Sequence, residues 1–82
     1  MNKKKLLSRI MNNQKNVPYN DFTTVVVAFG FNCTRREGSH QIFKNATVTE
    51  FINLHEENGK AKPYQIKQFL SLVEKYKLKL GE

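Results

Sequence analysis

The sequence predicts a small α+β domain: a three-stranded antiparallel sheet covered on one face by helices, in the order α-α-β-β-β-α. Three observations predict it. Apolar residues recur at helical spacing near both ends of the chain, and short alternating segments flank a Gly38-Ser39 corner in the middle. A chain of 82 residues can also build only one modest hydrophobic core, which limits the architecture to a single domain.

Leu6, Leu7, Ile10 and Met11 lie at helical spacing among basic and polar residues, so residues 4–13 read as a short amphipathic helix ended by the Asn12 to Asn16 run. Pro18 opens the second element, with Asp21 as its first-turn acid. The β-branched stretch 23–29 has strand propensity, yet Phe22, Val25, Val26 and Phe29 follow the i, i+3, i+4, i+7 rhythm of one helical face. Gly30 stands where a helix C-terminal cap belongs, and the pattern is read as helix. Segments 31–37 and 40–44 form a hairpin around Gly38-Ser39, and segment 48–55 is a third strand with Val48, Ile52 and Leu54 on one side. After the polar loop 56–60, Pro63 starts a helix with Ile66, Phe69, Leu70 and Val73 on its apolar face.

Residues 1–15 are expected to be a basic N-terminal helix and linker, and residues 16–82 a single domain. Helices at opposite ends of a three-stranded meander resemble the double-stranded-RNA-binding layout, which by itself assigns no function.

Fourteen Lys and Arg against seven Asp and Glu give a net charge of +7, which favours a polyanionic partner: nucleic acid, an anionic surface or an acidic protein. No apolar run approaches the ~18 residues of a membrane span, and the segment after Lys3 to Lys5 is too short and polar for a secretory signal. No membrane association and a cytoplasmic location are therefore expected. Cys33 is the only cysteine, so an internal disulfide is excluded, and it is read as a small buried or half-buried hydrophobe.

His40 is the candidate catalytic residue. Near neutral pH an imidazole can take or give a proton, as RNA cleavage requires at the attacking 2′-hydroxyl and the leaving 5′-oxygen. Gly38 and Ser39 can aim its ring out of the sheet, with Ser39 available for local hydrogen bonding. Arg35, Arg36 and Lys44 share the hairpin and are candidate phosphate ligands. Adjacent strand residues alternate faces, so at most one of Arg35 and Arg36 shares the face of a bound phosphate. Lys60 and Lys62 flank the start of the last helix, whose free N–H groups already favour an anion. His55 ranks below His40 because Glu56 and Glu57 follow it and would repel phosphate. No cofactor motif or metal-ligand spacing is present. Phe31, Phe43, Phe51 and Tyr64 could stack on bases, although aromatics at such spacings more often belong to a core.

Gly30-Phe31, then Arg36-Glu37-Gly38-Ser39-His40-Gln41-Ile42-Phe43, then Ile52-Asn53-Leu54, and finally Gly59-Lys60-Ala61-Lys62-Pro63-Tyr64-Gln65 occur in an order and spacing that resemble the HicA toxins of bacterial type II toxin–antitoxin systems. The resemblance is closest to the branch with an added N-terminal helix, and it runs from about Leu6 to Leu80. It implies a double-stranded-RNA-binding-like fold, metal-independent endonuclease activity on mRNA, inhibition of translation, growth arrest in a stress response, and neutralisation by a HicB-type antitoxin. It also implies that His40, the histidine of Gly-Ser-His, is catalytic. Two other functions use the same basic surface: a non-catalytic RNA-binding module, and a protein-interaction domain that meets an acidic partner.

Overall fold

The computed structural model describes residues 2–81, and its chain opens with a capped helix. The Asn2 side-chain oxygen accepts the Lys5 N–H at 2.8 Å and begins α1 (Lys3–Asn12), whose buried residues are Leu6 and Ile10. Helix α2 (Tyr19–Ala28) contains the β-branched run. Phe22, Val25, Val26 and Phe29 are buried on one face, and that burial outweighs the strand propensity of the threonines and valines. Gly30, at φ 96, closes the helix: its N–H bonds the Val27 carbonyl at 2.9 Å and the Phe31 N–H bonds that of Val26 at 3.4 Å.

The sheet is a meander of β1 (Asn32–Glu37), β2 (His40–Lys44) and β3 (Ile52–His55), with strand order β1-β2-β3 and every neighbour antiparallel. Helix α3 (Pro63–Lys75) follows, with Pro63 in its first turn. The α-α-β-β-β-α order and the α+β class are as expected.

The structure corrects three expectations. The third strand starts at Ile52 rather than at residue 48. Asn45 bends the intervening segment: its Oδ1 accepts the Thr47 N–H and hydroxyl, both at 2.9 Å, while its Nδ2 donates to the Phe29 carbonyl at 3.0 Å. Val48 is buried all the same, from a turn instead of a strand. Cys33 is exposed, and the Gln41 amide donates to its Sγ at 3.6 Å. Lastly, β1 is exposed along its whole length, because Asn-Cys-Thr-Arg-Arg-Glu offers no large apolar side chain to bury, so the helical layer protects β2 and β3 only.

Phe69 of α3 lies at the centre of the core. The rings of Phe22, Phe29 and Phe31 meet it edge-on at centroid distances of 5.6, 5.5 and 5.8 Å, contacts worth about 0.5–1.5 kcal/mol each beyond the area they bury. Phe43, Ile52 and Leu54 supply the sheet side of this core, and Leu6 and Ile10 of α1 belong to the same cluster. No helix of the described residues is long and apolar enough to cross a membrane.

Candidate active site

Gly38 and Ser39 are the two loop residues between the paired Glu37 and His40. Gly38 has φ 59, and nothing lies within 4 Å of where its Cβ would be, so glycine is required here by backbone conformation and not by crowding. The tight turn starts β2 at His40, and the Ser39 carbonyl accepts the Glu56 N–H at 3.4 Å, which extends the β2–β3 ladder by one bond.

Register then decides what surrounds His40. Phe43, paired with Ile52, faces the core, and so does Leu54. His40, Ile42 and Lys44 therefore point to the opposite, open face, with Asn53 and His55 beside them. His40 and His55 are direct cross-strand partners, and their rings stack at 4.4 Å between centroids and 15° between planes.

The pairing set by the Gly38-Ser39 turn selects between the two arginines. Counting back from the Glu37–His40 pair, Arg36 pairs with Gln41 and Arg35 with Ile42, so Arg35 shares the open face with Glu37 and His40, and the bulge beyond it, between Cys33 and Arg35, only restores Cys33 to a place opposite Phe43. Arg36, opposite Gln41, goes to the helix side with Tyr19, whose hydroxyl donates to Gln41 Oε1 at 2.7 Å. Burial pushes the Tyr19 phenol up from its ordinary value. Glu56 adds to the rise, Arg36 opposes it and Cys33 adds a little.

Two shallow clefts meet at His40. One, of about 280 Å³, is lined by Arg35, Glu37, His40, Ile42 and Asn53. The other, of about 260 Å³, lies between β3 and the start of α3 and includes His40, His55, Lys62 and Tyr64. His40 and Asn53 are thus shared walls. Lys62 caps α3, sits 3.6 Å from Glu57 and holds its ammonium 5.9 Å from the centre of the Tyr64 ring.

Of the site residues expected from sequence, the structure gathers Arg35 and Lys62 around His40 and leaves the rest apart. Arg35 is ion-paired with Glu37. Lys60 turns away to donate to Asn16 Oδ1 at 3.0 Å, and Lys44 lies four residues along β2, about 13 Å from His40 at strand rise. Ser39 contributes its carbonyl to the ladder.

His55 belongs to the site more closely than sequence indicated. Of the glutamates that argued against it, Glu56 acts on Tyr19, while Glu57 is paired with Lys62 of the site. Gln65 is a further residue that sequence missed. It is the one buried polar side chain among the described residues, and its amide bonds the outer edge of β3, accepting the His55 N–H at 3.2 Å and donating to the Asn53 carbonyl at 3.1 Å. A polar residue one position before Ile66, inside the apolar face of α3, was the available signal. Phe31 and Phe43 are core, whereas Phe51 and Tyr64 are 55% and 61% exposed.

No family model, curated protein or solved structure matches this chain.

A separate cleft of about 290 Å³ between α1 and the segment entering α2 is lined by Leu6, Arg9, Ile10 and Asp21 among others, and holds no imidazole or thiol. No group of three or more His, Cys, Asp or Glu side chains that could hold a metal ion occurs among the described residues.

Proposed function

We propose that this chain is a metal-independent endoribonuclease that cleaves mRNA and so inhibits translation, the HicA-like toxin of a type II toxin–antitoxin pair held in check by a HicB-type protein. The observation that carries this reading is the placement of His40 on the open sheet face, where it forms the wall between one cleft containing Arg35 and another containing Lys62. A phosphodiester lying across that wall meets a cation on each side, and an imidazole stands at the bond to be cut. His40 acts as general acid or base, taking the proton of the 2′-hydroxyl or giving one to the leaving 5′-oxygen. Arg35 offers a planar donor fork to the phosphate oxygens, and Lys62 a point charge. His55 stacks on one face of the His40 ring and restricts its rotation. The net charge of +7 draws the polyanion, and the same charge suits an acidic antitoxin.

The deciding experiment is cleavage of a defined RNA by the purified chain with a chelator present. The expected result is cleavage by the parent protein and a loss of about 10²- to 10⁴-fold in His40→Ala, with an unchanged circular-dichroism spectrum. Undiminished cleavage by the variant sinks the assignment of His40. Salt-sensitive RNA binding without cleavage by the parent selects the non-catalytic RNA-binding module instead.

A further inference from the structure

Tyr64 is the second residue of α3 and lies off the face formed by Ile66 and Phe69, so the residue is 61% exposed while its backbone is fixed in a helical turn. It opens onto the cleft that His40 and His55 share with Asn53, Lys62 and Gln68. At about 260 Å³ the cleft falls below the ~300–1,000 Å³ of sites that enclose a whole drug-sized ligand, and it suits one flat group. The Asn53 and Gln68 amides on its wall make no side-chain hydrogen bond among the described residues and offer both donors and acceptors. The occupant that matches this wall has a flat π-face for the phenol ring, a hydrogen-bonding edge for the amides, and an anionic chain for Lys62.

We propose that Tyr64 is a stacking platform for an unpaired base of single-stranded RNA, the base attached to the phosphate that reaches His40. Lys62, with its ammonium 5.9 Å from the ring centre, neutralises the backbone of the same nucleotide. Bases in a duplex are already stacked and cannot enter, so this subsite selects single strands, loops or ends. The inference rests on the nuclease reading for the role of His40, but the stack itself is a binding property with its own readout.

The test uses the full chain in a His40→Ala background, so that RNA stays intact. Its probes are a short single-stranded RNA oligonucleotide and a ribose-phosphate oligomer of the same length that is abasic throughout. Tyr64→Ala is expected to weaken binding of the base-bearing RNA by about 5- to 150-fold and to leave binding of the abasic oligomer unchanged. Tyr64→Phe keeps the π-face and retains parent affinity. Phe51→Ala, which removes an equally exposed aromatic that lines neither cleft, changes nothing. An equal loss on both oligomers, or no loss on the base-bearing one, overturns the proposal. The expected pattern in a chain that cleaves no RNA would support the stack and remove only the nuclease reading.

Discussion

Arg35 and Arg36 are neighbours in sequence and stand on opposite sides of the sheet, and the pairing of Glu37 with His40 across the tight turn puts Arg35 on the side of His40. With RNA lying on the open face, Arg35→Ala should weaken binding by about tenfold at moderate salt and reduce the slope of log affinity against log salt by about one. Arg36→Ala, on the helix side, should leave that slope nearly unchanged, and titrations at several salt concentrations would check both. Alternation limits the choice to at most one arginine, and naming it takes the cross-strand register, which the Glu37–His40 pair supplies. His55 was hidden for a related reason. Its glutamate neighbours are visible in the sequence, while the register that sets it on His40 depends on how the 45–51 turns are folded. Tyr64, grouped by sequence with aromatics that more often belong to a core, is exposed because it falls off the apolar face of Ile66, Phe69, Leu70 and Val73.

Where the elements differ from their periodicity, the difference has a physical cause. The rhythm of Phe22, Val25, Val26 and Phe29 gave the helix despite its β-branched content, because a buried face outweighs intrinsic propensity. The third strand is shorter than alternation predicts, because alternation cannot distinguish a strand from a turn that buries one valine. At this scale the tie that matters most for the site is Gln65, which joins α3 to the outer edge of β3. Gln65→Leu keeps the volume but leaves the His55 N–H and Asn53 carbonyl without their partner. The expected cost is about 1–2 kcal/mol in urea-induced unfolding, since two part-buried hydrogen bonds are lost. The same variant loosens β3 beneath His55, so RNA cleavage should fall under conditions where the protein remains folded.

Across the whole molecule, a carboxylate far from the site fastens the turn before β3 to the end of α3. Glu50 bonds the Lys75 ammonium at 2.8 Å, the Tyr76 hydroxyl and, at 2.9 Å, the Thr49 hydroxyl. Led by Lys75, these partners lower its pKa from an ordinary 4.5 to about 2. A lowered carboxyl stabilises the folded state at any pH above its unfolded value and loses that contribution as pH falls through the folded one. Glu50→Gln should therefore be less stable than the parent protein near neutral pH, and the difference should shrink between about pH 4.5 and about pH 2, as urea midpoints across that window would show. The network closes a chain whose fold class could be read from periodicity, whereas its long-range polar ties involve residues with no periodic signature.

The two borders of the sheet have different fates in a crowded solution. Gln65 occupies the outer side of β3, so a strand from another molecule finds Asn53 and His55 already engaged there. The β1 border has no such cover, and it is the place where self-association through strand addition would begin. Its protection lies in its own sequence: the bulge interrupts the straight row of backbone donors and acceptors, and Arg35, Arg36 and Glu37 place charge where a second strand would have to settle. The hairpin that presents Arg35 beside His40 thus also carries, in its bulge and its charges, the two features that make an uncovered strand a poor template for pairing.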